Sequence, residues 1–453
     1  MIKLDLNEIT KATGGRANGP LPEGNIESMI TDSRLAADGA VFIALKGERA
    51  DGHSFVKGLE GRILAAVVER EVDASVPQIV VPSTFRAVGD IGSYIREKSG
   101  VTVIGITGSV GKTSVKELTA SVISQKYNTL KTEKNHNNEL GLPMTLFRLT
   151  EEHEAAVLEM GISYFGEMTR LSAVARPDMA VFTNIENVHT ENLIDRDGVL
   201  RAKTELVANM RGTLGGVLIL NGEDDKLLNY AVPEGRRAVY YGFDRRFFAH
   251  ADGIVPHGIE STDFILHLGE EAIPVCLPAS GKHMVLNSLA AAAAGHEMGL
   301  ELPEIKRGLE SFVPVEGRMT KLSFNGASVI NDCYNASPTS MAASLNVLAG
   351  ASGRKLALLG DMLELGERTE ELHRGIGRLC AELGLDMLLT VGGLAGHIAS
   401  AAREYGLENV REVSKEEAAR ILKDELKPGD TLLVKASRGM ALETVIKAVT
   451  GDR

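Results

Sequence analysis

The sequence predicts an α/β protein of three domains, and three observations carry that expectation. Short apolar, β-branched runs at 101–107, 155–161, 178–185 and 216–221 are separated by stretches of helical periodicity, the pattern of a parallel sheet covered by helices. The same pattern starts again after PVEGRMT (314–320), with runs in ASVINDCY, RKLALLG, DMLLTVG and DTLLVKA. A chain of 453 residues is also long enough for two to four separate cores. The expected units are residues 1–97, 98–313 and 314–453.

The central unit is organised around VTVIGITGSVGKTSVKELTASVISQKY, residues 101–127. A strand-like run leads into Gly108, Ser109, Val110 and Gly111, then Lys112, Thr113 and Ser114; Val115, Leu118, Val122 and Ile123 follow at helical spacing. Strand, glycine turn, lysine, hydroxyl and helix in that order describe a phosphate-binding loop. Its glycines let backbone N–H groups close on phosphate oxygens, and the helix N-terminus adds partial positive charge. Lys112 is expected to reach the terminal phosphates and Thr113 to offer a hydroxyl to Mg²⁺. The general pattern would place its first glycine where Ile106 stands, so a plain strand-to-helix turn is the competing reading.

Bulk composition excludes several classes. A formal net charge of -12 argues against a broad nucleic-acid surface. No run reaches the roughly 18 apolar residues of a membrane span. Asp5 and Glu8 come too early for a signal peptide, so a cytoplasmic protein is expected. Cys276, Cys333 and Cys380 lie far apart, which suggests neither a zinc site nor a disulfide framework. Each is expected as a small buried hydrophobe.

In the first unit a strand-like run at 41–45 lies among glycine turns that carry Ser33, Arg34, Lys46 and His53. These suit an anionic ligand, and equally a solvated loop. In the central unit Glu159 ends the run AAVLEMG, where ligands of parallel sheets gather and a carboxylate can hold the nucleotide's Mg²⁺. The run Asn135, His136, Asn137, Asn138 could bind substrate or simply form a turn. His189 follows a strand, and Lys203 sits on a helix beginning near Asp197. On the alanine-rich helix of 280–300, His283 and Asn287 share one side.

Gly317 and Arg318 mark the passage to the third unit, a dinucleotide-fold pattern without a glycine fingerprint. Its strand ends carry Asp332, Tyr334, Asn335, Asp361, Lys435, Ser437 and Arg438, a set suited to a site facing the neighbouring domain.

Together TGSVGKTS, KNHNNELGLPMTL, LEMG, the segment from His189 to Lys203, GKHMVLN, EGR and NDCYNASPTSM with LGDMLELG resemble the Mur ligase family along essentially the whole chain. The resemblance implies a small N-terminal α/β domain that binds a UDP substrate, a central P-loop parallel-sheet ATPase domain and a C-terminal Rossmann-like domain. It implies ATP, two Mg²⁺ ions and amide formation through an acyl phosphate. YNASPTSM and DMLELG resemble the branch whose substrates are a UDP-N-acetylmuramoyl (UDP-MurNAc) tripeptide and D-alanyl-D-alanine, and the DNPR of diaminopimelate-adding relatives is absent. A monomer without nucleic-acid or membrane partners is expected.

The resemblance also assigns roles by position. Gly108 to Ser114 would hold phosphates, Thr113 and Glu159 one Mg²⁺, and His189 a second. Lys203 matches the family's carbamylated lysine. Asn287 would meet adenine, while Arg318, Asp332 and Asn335 would meet the nucleotide on closure. Ser33, Arg34 and Asn138 would contact the UDP substrate. The loop NVHTENLID departs from the glycines usual near that histidine. A relative using another amine, or an ATP-hydrolysing switch protein, are the alternatives.

Overall fold

The computed structural model describes residues 1–48, 50–188, 190–212 and 214–451. Three sheets organise it, one within each expected unit.

The first has five strands in the order Arg16–Ala17, Gln78–Val80, Ala65–Val68, Ala40–Ile43, Ser28–Ile30. All neighbours are parallel except the first pair. Ala40–Ile43 and Ala65–Val68 are buried at every residue, as the inner strands of a sheet covered on both faces must be. The expected boundary at 97/98 falls inside the helix Thr84–Ser99. That helix is bonded to the next domain: Arg96, fully buried, donates to Asp178 Oδ2 at 2.7 Å and to the Ala175 carbonyl at 2.8 Å.

The second sheet has nine strands. From one edge they run Thr129–Lys131, Ala155–Glu159, Thr102–Thr107, Met179–Phe182, Val217–Asn221, Arg237–Gly242, Ala249–His257, Ser261–Leu268 and Glu271–Leu277. The expected parallel arrangement holds as far as Ala249–His257. The last two strands are antiparallel, so the sheet is mixed. Ser261–Leu268 alternates between buried and more exposed positions, the pattern of a strand with one wet face rather than a continuous apolar run. Opposite the sheet, the buried alanines Ala290–Ala294 bring helix Lys282–Glu297 close to helix Lys112–Ile123.

The third sheet runs Thr320–Phe324, Ala327–Asn331, Thr431–Lys435, Lys355–Gly360, Met387–Val391, Val410–Glu412, parallel after its first pair. The tip of the antiparallel hairpin in the second sheet reaches this domain. Ile259 joins its apolar core, and Lys321 Nζ lies 3.0 Å from Glu260 Oε2. Cys333 and Cys380 are buried as expected; Cys276 is exposed, because it sits in the alternating edge strand Glu271–Leu277. Among the described residues no helix is long and apolar enough to cross a membrane.

Candidate active site

The phosphate-loop residues form the turn their chemistry requires. Gly108 has φ +146°, and a Cβ there would stand 1.9 Å from Thr183 Oγ1, so no side chain fits. Gly111, at φ 84°, caps helix Lys112–Ile123 without a side-chain bond, which leaves the first-turn amides for a ligand. The next strand over holds the loop in place. Asn184 accepts from Ser109 N–H through its carbonyl (2.9 Å) and from Val110 N–H through its side chain (2.8 Å). Thr183 donates to the Val110 carbonyl at 2.6 Å.

Lys112 curls back on this loop, donating to the carbonyls of Gly108 (2.8 Å) and Ser109 (2.9 Å). Burial holds its ammonium below the ordinary lysine value, with Glu159 opposing and Arg318 adding to the shift. Thr113 donates to Glu159 Oε2 at 2.9 Å, and Asn137 Nδ2 donates to Glu159 Oε1 at 2.8 Å. A hydroxyl and one buried carboxylate beside a phosphate loop suit Mg²⁺, which takes few protein ligands and completes its shell with phosphates and water.

Lys203 lies on helix Arg196–Thr204, capped by Asp195, and is 1 % exposed. Burial, and then repulsion from Lys112, push its amine well below the usual lysine range. His189 lies outside the described residues.

The loop opens into a cavity of about 820 Å³ whose opposite wall is the third domain. Ser109 to Ser114, His283 and Asn287 line one side; Arg318, Asp332, Tyr334, Asn335, Lys435 and Arg438 line the other. Asn287 reaches the loop itself, its Oδ1 3.1 Å from where a Gly111 Cβ would be. Asp332 Oδ2 accepts from Lys435 (2.5 Å) and Ser344 (2.6 Å), so the carboxylate is immobilised. Arg318 Cζ lies 4.2 Å from the Tyr334 ring centroid, and its Nε is buried without a partner among the described residues. His283 stands between the domains. Burial lowers its imidazole to about 4, with Asp332 opposing and Lys435 reinforcing the shift.

Several expected residues stand elsewhere. Ser33 and Arg34 lie on a short turn of the first domain, away from the cavity-lining set, where Arg34 pairs with Asp32 at 2.6 Å. Asn138 Oδ1 accepts from the backbone N–H groups of Leu140 and Gly141, so it shapes the turn. Its neighbour Asn137 is the amide that meets Glu159. Asp361 accepts from Ala395 N–H at 2.7 Å and holds a loop rather than facing ligand space. Asn184, Glu186 and Thr339 belong to the cavity and escaped the sequence reading. Asn184 could have been found by its place at a strand's carboxyl end.

A phosphate loop facing the strand ends of a second α/β domain across one cavity defines a nucleotide-binding enzyme. Residues 106–295 match the Mur ligase middle domain, and residues 317–438 match the Mur ligase glutamate ligase domain. A UDP-N-acetylmuramoyl-tripeptide--D-alanyl-D-alanine ligase of Bacillus subtilis (strain 168) is 36% identical over 99% of this chain and 98% of its own. The crystal structure of MurF from Acinetobacter baumannii superposes with a TM-score of 0.90 at 34% identity, covering 99% of both chains. A MurF ligase from Thermotoga maritima, solved in complex with ADP, gives 0.84 at 27% identity over 94% of this chain and 98% of that one. The chain belongs to the Mur ligase family.

Proposed function

We propose that the protein is an ATP-dependent ligase that joins D-alanyl-D-alanine to UDP-MurNAc-tripeptide, giving the pentapeptide precursor of peptidoglycan. The observation that carries this reading is the single cavity shared by the phosphate loop and the YNASPTSM and DMLELG loops. The Bacillus relative of that name, matched end to end, and the ADP held by the Thermotoga relative support it.

In the proposed reaction the tripeptide's terminal carboxylate oxygen attacks the γ-phosphorus of ATP and ADP leaves. The amine of D-alanyl-D-alanine then attacks the acyl carbon, loses a proton, and expels inorganic phosphate. Both steps gather negative charge at the transferring group, so preorganised donors carry much of the catalysis. Lys112 would leave its loop carbonyls for phosphate oxygens, and the first-turn amides would bind the rest. Thr113 and Glu159, steadied by Asn137, would hold Mg²⁺, which neutralises phosphate charge when bound.

Asn287 would meet the base, and Arg318, Asp332 and Asn335 would close on the nucleotide from the third domain. Ser33 and Arg34 would take the UDP portion, which requires Arg34 to exchange Asp32 for phosphate. Asn138 would act through the turn it caps, and His189 would hold a second Mg²⁺. Lys203, buried beside another cation, favours its neutral amine, the form that adds CO₂ to become a carbamate. The units 1–97, 98–313 and 314–453 would bring the three substrates together, in the cytoplasm.

The test is phosphate release from ATP with UDP-MurNAc-tripeptide, with and without D-alanyl-D-alanine. Release that needs both and yields the pentapeptide nucleotide supports the assignment. Release indifferent to the dipeptide, or obtained instead with a single amino acid, overturns it.

A further inference from the structure

The helix after the phosphate loop buries a cation that the steps above leave unused. Lys116, one turn beyond Lys112, is 1 % exposed and lies outside the cavity lining. An apolar side chain would fill its place without the cost of desolvating an ammonium, so its polar contacts must account for it. Nζ donates to the Thr132 carbonyl at 2.8 Å and lies 2.6 Å from Glu117 Oε1. Glu117 also pairs with Lys131, the last residue of strand Thr129–Lys131. Burial pushes the Glu117 carboxyl up, but the hydrogen bonds from Lys116 and Lys131 outweigh it and hold the group below its ordinary value. Two lysines sharing one carboxylate thus tie the helix to the end of that strand.

The strand has little else to hold it. It is three residues long, stands at the edge of the nine-stranded sheet and pairs with Ala155–Glu159 alone. Yet the chain leaving it serves Glu159 twice. Thr132, fully buried, accepts the Glu159 N–H on its Oγ1 at 3.0 Å, and its own N–H donates to the Val157 carbonyl at 3.0 Å. Further on, Asn137 Nδ2 donates to Glu159 Oε1. One segment therefore grips Glu159 at its backbone and at its side chain, and Lys116 fixes where that segment starts. The same helix carries Thr113, whose hydroxyl meets the other Glu159 oxygen. The spacing of helix and strand end consequently sets the spacing of the two groups suited to Mg²⁺.

We propose that Lys116 is a positioning residue for the pair Thr113 and Glu159: by holding the Thr132 carbonyl it keeps helix and strand end at the separation the ion requires. It acts through Thr132 and touches neither ion nor nucleotide. The assignment rests on the reading above that Thr113 and Glu159 hold Mg²⁺.

The experiment is calorimetric binding of AMP-PNP, a non-hydrolysable ATP analogue, to the full-length protein across a Mg²⁺ titration and in EDTA. Lys116→Met keeps the apolar stem and removes the donor. It should raise the Mg²⁺ concentration for half-maximal tightening by about tenfold, the scale on which groups that orient metal ligands act. Affinity in EDTA should stay within about twofold of wild type, because Lys112 and the loop amides are untouched. A loss of packing alone would lower the melting temperature without moving the Mg²⁺ requirement. Lys116→Arg keeps a donor for the carbonyl and should hold the requirement within about threefold of wild type. Thr132→Val keeps the carbonyl, loses the hydroxyl that accepts from Glu159, and should raise the requirement too. Added to Lys116→Met it should shift the value by less than about twofold further, since both act along one route. An unchanged requirement in Lys116→Met or in Thr132→Val, or effects that multiply in the double variant, overturns the assignment while the metal reading stands. Wild type whose affinity for the analogue is indifferent to Mg²⁺ overturns both.

Discussion

Thr113 donates its hydroxyl to Glu159 across 2.9 Å, joining the first turn of the helix after the phosphate loop to the tip of a neighbouring strand. The register makes this contact possible. Ile106 and Glu159 are parallel partners, so the carboxylate ends its strand where the loop begins. Glu159→Gln keeps the hydrogen bond and removes the charge that would attract Mg²⁺. It should raise the Mg²⁺ concentration needed for half-maximal activity by about tenfold, with the melting temperature within a few degrees of wild type. A magnesium titration checks this; an unchanged requirement would remove Glu159 from the metal site.

Lys112 satisfies itself on the Gly108 and Ser109 carbonyls, bonds that it would exchange for phosphate oxygens in the proposed reaction. Lys112→Ala should lower kcat on the order of 10²-fold or more, as loss of one preorganised donor does. Steady-state turnover is the measurement, and near-normal kcat would overturn the phosphate-loop assignment.

For Lys203 the expected behaviour is chemical rescue. Lys203→Ala should lose activity and regain part of it with added short carboxylates, because an anion can then occupy the place that a carbamate on Lys203 would fill. A titration with formate and acetate reads this out, and the absence of any rescue would argue against the carbamate.

His283 gives stability a pH dependence. Its imidazole titrates near 4 in the folded protein against an ordinary value of about 6.5, so the unfolded chain binds more protons between those limits. Its contribution to stability is therefore lost as pH falls from about 6.5 towards 4, and is level above that window. Urea midpoints of wild type and His283→Gln should diverge over that range and run parallel above pH 7. Identical slopes throughout would show that His283 does not titrate with unfolding.

Arg96 and Asp178 form an ion pair buried between the first two domains. Burial lowers the guanidinium to about 10, so it remains charged at neutral pH. Arg96→Met would take the cation from a buried carboxylate that keeps its Val103 N–H bond, and should cost about 3–5 kcal/mol in unfolding free energy. Denaturant unfolding measures it, and a loss below about 1 kcal/mol would mean that the two domains are joined by other contacts.

The phosphate loop was legible because its chemistry is contiguous: strand, glycines, lysine, hydroxyl and helix follow one another between Thr102 and Ile123. Glu159, at the end of an obvious buried strand, was legible for the same reason. The amide cluster was seen, but not which of its members would serve. Asn137 and Asn138 are neighbours, and only the turn before helix Gly141–Leu146 sends one to Glu159 and the other to backbone N–H groups. The antiparallel hairpin escaped because a search for buried runs passes over strands that alternate, as Ser261–Leu268 does.

What the sequence by itself determined was each local device: the loop, the parallel strands, the polar residues at their ends, and the family they resemble. What only the tertiary structure decided was which of those ends meet. Asp332 and Lys435 are far apart in the chain yet 2.5 Å apart in space, and Ser437 bonds the loop that carries Leu363 to the one that carries Ala336. Local devices follow from backbone conformation and side-chain chemistry over a few consecutive residues. Contacts between distant strand ends depend on how whole sheets and domains bury their apolar faces against one another, which no short stretch encodes.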